Sequence, residues 1–410
     1  MNLGLLFLVF AAAYAADDLP WWKTEVFYQI YPRSFKDSNK DGIGDLQGIT
    51  DNVDYLKSLG IGAIWLSPIY ASPNADYGYD VSDYKNINKE YGDMDSFKKL
   101  MTKLNDKKIK LIMDFIPNHT SEKHPWFLQS KNRTAGYEDY YIWKDGVGVK
   151  KSPPTNWVKQ LSMDGSSAWQ WCEERNQYYY HVFSPSQPDL NYSNPKVLEE
   201  MKGVMDFWLH EGVSGFRMDA VPYLVETDFK DENKICSDPI YDCLNHTYTK
   251  DTESTHAILH EFTQHLEKYK EDNNLTTLVL EATSPMDQIV KYYDNDTIPF
   301  NFNLMGLKEN SSAGEFVNQI KSWIDGVTDE RWSNWFTGNH DSQRAASRFD
   351  RDLTDALNMI IMLLPGTPFT YYGEEIAMKD VELKNFTDIR MKSRTPFQWD
   401  GTPHAGELAL

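Results

Sequence analysis

Gly215-Phe216-Arg217-Met218-Asp219-Ala220-Val221 is an apolar run of strand length that carries a guanidinium and a carboxylate two residues apart. Alternate residues of a strand share a face, so Arg217 and Asp219 point the same way. Three other segments are built alike: DFIPNHTS (114–121), LVLEA (278–282) and FTGNHD (336–341), each apolar first and polar at its C-terminal end. Reactive groups gathered at the C-terminal ends of strands are the arrangement of an α/β barrel active site. Two carboxylates with a guanidinium and hydroxyl-gripping groups match the needs of glycosidic bond cleavage.

Working outward, apolar runs suited to buried strands occur at Val26–Tyr31, Ile61–Leu66, Ile109–Phe115, Gly215–Asp219, Leu278–Glu281, Pro299–Asn303, Asn334–Gly338 and Pro368–Tyr372. Helical periodicity falls between several of them, as at Asp95–Leu104 and Lys196–Glu211. Eight strands with intervening helices predict an α/β chain folded as a (β/α)8 TIM barrel, with a doubly wound sheet as the alternative. Residues 121–189, rich in Trp, Tyr, Gly, Ser and Pro, are too long for a loop and read as a small inserted domain after the third strand. The barrel then comprises residues 17–120 and 190–410, after a signal peptide at 1–16.

That leader is a short apolar run, Leu3–Ala16, with a small-x-small cleavage site at Ala13-Tyr14-Ala15; it predicts a secreted, extracellular protein. It is too short to span a bilayer, and no other segment reads as a transmembrane helix. The net charge of -20 over 410 residues argues against nucleic acid and suits a small neutral substrate. Three cysteines allow one disulfide, and Cys236 with Cys243 are near enough to close a small loop, leaving Cys172 free. Sequons at Asn132, Asn245, Asn274, Asn295, Asn310 and Asn385 predict N-glycans, whereas Asn118 and Asn191 fall in site segments and are expected bare.

Residues Asp37–Asp45, DSNKDGIGD, place oxygen ligands at alternate positions around a glycine turn, like the first half of an EF-hand loop. Asp37, Asn39, Asp41, Asp45 and the carbonyl of Ile43 would hold one structural Ca2+, although Gly48 stands where a bidentate Glu belongs. Glu281 follows the apolar Leu278–Leu280, where burial is expected to keep it protonated for a leaving oxygen. Arg217 is expected to keep Asp219 ionised.

These segments, with DYGYD (76–80), QPDLN (187–191) and RTPFQWD (394–400), make the chain resemble glycoside hydrolase family 13, and within it the α-glucosidase or maltase branch, from about Trp21 to Gly406. The resemblance implies a retaining, exo-acting α-glucosidase. Asp219 would be the nucleophile, Glu281 the general acid and base, and His340, Asp341 and His119 the grips on sugar hydroxyls. Asp76 and Arg394 would wall off the nonreducing end and Tyr79 would stack on the sugar, with Phe183, Tyr70, Phe300 and Phe302 lining the same cavity. The QPDLN segment and the small Ala220 imply α-1,4-linked substrates: maltose, short maltooligosaccharides and sucrose. Thr283 departs from the family's aromatic, as do Leu161 and Met163 in Val158–Ser166. Full-length relatives also continue past position 410 into a last barrel helix and a C-terminal β-domain. Rival readings are a glucosidase-like receptor or transporter heavy chain, which intact Asp219, Glu281 and Asp341 disfavour, and a transglycosylating or sucrose-isomerising relative. A lipid anchor beyond the chain would fit a membrane-attached form.

Overall fold

The computed structural model describes residues 19–401 except 161, 273–276, 295, 329–330 and 383–387. The expected signal peptide, Leu161 and the sequons at Asn274, Asn295 and Asn385 lie outside the described residues. Eight parallel strands form the barrel: β1 (Phe27–Ile30), β2 (Ala63–Leu66), β3 (Lys110–Phe115), β4 (Gly215–Met218), β5 (Thr277–Leu280), β6 (Thr297–Pro299), β7 (Asn334–Trp335) and β8 (Thr367–Tyr371). The first strand pairs with the last, Phe27 opposite Phe369, which a doubly wound sheet cannot do.

One seam lacks a backbone ladder. Between β6 and β7 the Asn334 side chain accepts from the Asn301 amide (3.0 Å) and donates to the Pro299 carbonyl (2.7 Å), while Asn301 Nδ2 donates to the Asn334 carbonyl (3.2 Å). Pro299 has no N–H to offer a neighbour, so side-chain amides complete the ring there. For the same reason β6 ends at Pro299, where a strand through Asn303 was expected; Asn301 caps a 3-10 turn over Phe302–Gly306 instead.

Alternation along the strands sorts two apolar layers. In β2, Ala63 and Trp65 join an inner cluster with Phe27, Ile112, Val279 and Phe369, whereas Ile64 and Leu66 face the outer helices. Phe300 and Phe302 belong to this inner packing, not to a substrate cavity, and Tyr70 is buried with its hydroxyl on the Asp114 carbonyl (2.5 Å). The helix Met94–Asp106 starts at a reciprocal cap between Asp93 and Ser96 and buries Phe97, Leu100, Met101 and Leu104, a helical stripe. The helix Pro195–His210 opens on Asn194 and a first-turn proline and buries Val197, Met201, Val204, Met205 and Trp208. Each such side chain contributes about 1.5–3 kcal/mol of burial.

The segment after β3 carries its own antiparallel sheet, Trp143–Lys144, Trp169–Cys172 and Gln177–Tyr180, with the last strand central. A long loop after β4 packs on it, stacking Phe229 against Trp157 at 5.6 Å. That loop contains the Cys236–Cys243 disulfide, while Cys172 is a buried free thiol. Asn132, Asn245 and Asn310 are exposed. Asn118 is buried, and Asn191 Nδ2 is committed to the Asp139 carbonyl (3.0 Å). Among the described residues no helix is long and apolar enough to cross a membrane.

The Asp37–Asp45 loop is ordered by its own side chains. Asp37 accepts from the amides of Asn39 (3.1 Å), Lys40 (2.6 Å) and Gly42 (2.9 Å), Asn39 from Asp41 (2.9 Å), and Asp41 from Ile43 (2.9 Å). Asp45 caps the helix Leu46–Asp51 through Gly48 N (2.7 Å). Among the described residues, no three acidic, histidine or cysteine groups gather as a metal centre. The donors are nonetheless all hard oxygens, and each ionised carboxylate keeps lone pairs beyond those the amides use.

Candidate active site

The barrel places its polar strand ends on one rim. β3 carries Asp114 and β4 carries Arg217, paired in register. Asp219 and Glu281 begin the next loops, and their amides extend the ladder by bonding Phe115 O (2.9 Å) and Met218 O (2.9 Å). Arg217 is buried at 1% exposure and serves all three carboxylates. Its Nη1 donates to Asp114 Oδ1 (2.6 Å) and Asp219 Oδ1 (2.6 Å), and its Nη2 pairs with Glu281 Oε2 (2.8 Å). Asp114 Oδ2 is further held by Trp65 Nε1 (2.9 Å), so its part is to fix the guanidinium.

This arrangement corrects the expectation that Arg217 alone sets the charge of Asp219. Burial pushes the Asp219 carboxyl well above the ordinary range; Arg217 opposes the rise, but the charges of Glu281 and Asp114 add to it. Burial raises Asp114 too, again against Arg217. One guanidinium shared among three carboxylates offsets that rise only in part. Glu281 is not lodged among apolar groups: its Oε2 lies on Arg217 and accepts from the Ala220 amide (3.1 Å). Ala220 adopts φ +52°, a left-handed turn that aims this amide back at β5.

His340 and Asp341 follow β7. His340 is fully buried, bonded through Nδ1 to Gln29 Nε2 (2.8 Å), and stacked on Tyr79 with centroids 5.4 Å apart. Tyr79 thus spends one ring face on His340, and its hydroxyl bonds that imidazole. Asp341 pairs with His340 Nε2 (3.0 Å) and Arg394 Nη2 (2.6 Å). Burial acts against its charge, yet His340, Arg394 and Arg390 together hold Asp341 well below the usual carboxylate range. Burial lowers His119 to about 4, so it is a neutral imidazole; its Nε2 faces the Tyr79 carbonyl (3.2 Å) and Gln187 (3.1 Å).

The partner of Asp76 differs from expectation. Asp76 pairs with Arg390 (2.7 Å), whereas Arg394 is turned inward to the His340 carbonyl (2.7 Å) and Asp341. Arg390 sits one turn before Arg394 on a 3-10 segment, Ile389–Lys392, and is gripped by Asp388 (2.7 Å). Sequence reasoning missed Arg390; its only signal was a second arginine four residues ahead of RTPFQWD.

Asp76, Tyr79, His119, Phe183, Asp219, Glu281, Asp341 and Arg390 line one cavity of about 360 Å³, joined by Gln160, Gln187, Ala220, Pro222, Tyr223, Thr283, Asp388 and Ile389. Arg217, His340 and Arg394 stand behind that wall and touch its lining residues. Met163 is 84% exposed and takes no part in the lining. Chemically, the cavity offers two carboxyls just past the ends of adjacent strands beside one guanidinium, together with charged hydrogen-bonding groups, as cleavage of a glycosidic bond requires.

Residues 29–407 match the family model of the α-amylase catalytic domain. The chain is 41% identical to the salivary alpha-glucosidase of Aedes aegypti, over 99% of this chain and 76% of that protein. It is 43% identical to Maltase 1 of Drosophila virilis, over 95% of this chain and 66% of that protein. The crystal structure of the alpha-glucosyl transfer enzyme XgtA superimposes with a TM-score of 0.86 at 30% identity, covering 95% of this chain and 77% of that one. With the barrel, the rim carboxylates and these likenesses in agreement, this chain belongs to the α-amylase catalytic-domain family of glycoside hydrolases.

Proposed function

We propose that the protein is a retaining, exo-acting α-glucosidase that releases terminal α-1,4-linked glucose from maltose, short maltooligosaccharides and sucrose. The observation that carries this reading is the sharing of Arg217 by Asp219 and Glu281 at the floor of a cavity closed by Asp76 and Arg390. Adjacent nitrogens of one guanidinium draw the two carboxyls together, as a retaining pair at roughly 5–5.5 Å needs, without room for a water between them. Asp219 attacks the anomeric carbon, and Glu281 protonates the leaving oxygen and then deprotonates the incoming water. Asp341 and His119 hold ring hydroxyls, His340 positions Asp341 from behind the wall, and the Asp76–Arg390 ion pair admits only a chain end. The names of the insect α-glucosidase and maltase relatives support the substrate class.

The test is turnover of maltose, isomaltose, sucrose, trehalose and starch with product anomers followed by NMR. Release of α-glucose from maltose and sucrose, and a loss of at least about a thousandfold in Asp219→Asn, is expected. β-Glucose as first product, or undiminished turnover in the variant, refutes the double displacement.

The same reading includes secretion with N-glycans on Asn132, Asn245 and Asn310, supported by their exposure. It also includes one structural calcium ion on Asp37, Asn39, Asp41, Asp45 and the Ile43 carbonyl, supported by the oxygen donor set. Calcium is expected to raise the melting temperature by several degrees over chelated protein, and Asp41→Ala to remove that difference.

A further inference from the structure

The lining sets an apolar group, Phe183, Ala220, Pro222, Tyr223 and Ile389, beside its charged residues. Ile389 is the anomaly: it lines the cavity yet is 77% exposed. An apolar side chain left in water at a pocket mouth gains free energy when a ligand covers it.

Ile389 is held there. Asp388 accepts from the Arg390 amide (2.9 Å) and grips its guanidinium at Nε (3.0 Å) and Nη2 (2.7 Å), and Arg390 is pinned in turn by Asp76 (2.7 Å). The residues before and after Arg390 therefore cannot move without breaking the closure of the glucose end. Tyr223, also in the lining, packs edge-on against Phe183 at 5.6 Å, an apolar wall that is itself buried or half-buried. Asp388 is spent on Arg390, and Gln160 Oε1 is a buried acceptor without a protein partner among the described residues.

We propose that Ile389 is a specificity-determining residue for the leaving group: with Phe183, Pro222 and Tyr223 it clamps apolar aglycones, so that aryl and alkyl α-glucosides gain from it more than disaccharides do. This rests on the glucosidase reading of the cavity. In the step concerned, the bond from C1 to the aglycone oxygen breaks, the bond from C1 to Asp219 forms, and Glu281 delivers its proton to the departing oxygen. A second sugar presents hydroxyls to Phe183, Pro222 and Ile389, whose side chains offer them no partners, whereas an aromatic ring buries its face there.

The experiment compares kcat/KM for 4-nitrophenyl α-glucoside and for maltose in the full chain and in Ile389→Ala and Ile389→Leu. The ratio of aryl glucoside to maltose is expected to fall about fivefold or more in Ile389→Ala and to recover in Ile389→Leu. Both substrates pass through the same glucosyl ester on Asp219, so a change confined to its hydrolysis moves neither kcat/KM, and general loosening lowers both kcat/KM values without the selective recovery by leucine. A ratio unchanged within twofold in Ile389→Ala overturns the proposal. Absence of turnover on both substrates in the unaltered protein instead refutes the glucosidase reading, and this one with it.

Discussion

At the scale of single residues, two arginines near the end of the chain separate binding from architecture. Arg390 is partly exposed and reaches Asp76 at the cavity wall, while Arg394 is buried and holds the His340 carbonyl and Asp341. Arg390→Ala is therefore expected to raise KM for maltose at least tenfold with little change in melting temperature. Arg394→Ala removes a buried guanidinium with its bonds to the His340 carbonyl and Asp341 and is expected to cost roughly 1–3 kcal/mol of stability, read by urea denaturation. Equal stability losses in the two variants would remove the distinction. The rim residues themselves were legible in the sequence, because an apolar strand that ends in Asp, Glu or His announces them. Their pairing was not. Asp76 and Arg390 lie far apart in the chain, and only the course of the loops after β2 and β8 decides which guanidinium meets the carboxylate.

At the scale of elements, the barrel seam is the part most dependent on single side chains. Replacing Asn334 by Leu removes an acceptor from the Asn301 amide and a donor from the Pro299 carbonyl, both buried. Leaving these groups unpaired is expected to cost roughly 2–4 kcal/mol, measured as a lower urea midpoint, with hydrogen exchange fastest in β6 and β7. All eight strands were foreseeable to within a few residues, because buried parallel strands are short continuous apolar runs. The exception, β6, shows the limit of that signal. Pattern alone favoured the aromatic residues after Pro299, but strand pairing needs backbone donors, and Phe300 and Phe302 fill the barrel interior from beyond the ladder. The strands of the inserted segment were not legible in the sequence, since its aromatic residues pack on both faces.

For the whole molecule, buried histidines set a floor to the useful pH range. Burial lowers His119 and His124 to about 4 each and His181 to about 3, and His124 Nδ1 accepts from the Trp126 amide (3.1 Å) to cap a helix. Between those values and the unfolded pKa of about 6.5, the unfolded chain binds more protons than the folded one. Stability from these groups is complete above about 6.5 and declines as pH falls toward 4, by on the order of a few kcal/mol per histidine. Melting temperature is expected to fall steeply over that window, and less steeply in His124→Asn; a profile flat from pH 7 to 4 would contradict it. The final consequence concerns inhibitors. A chain of net charge -20 that sets one cation against three anions at its reacting centre is an electrostatic trap for positive charge. In turnover the cationic character of the sugar ring answers that demand. A glucose-shaped cyclic amine in its protonated form carries that charge before any bond breaks, so it outcompetes neutral glucose, and acidification of the carboxylates or added salt erodes its advantage.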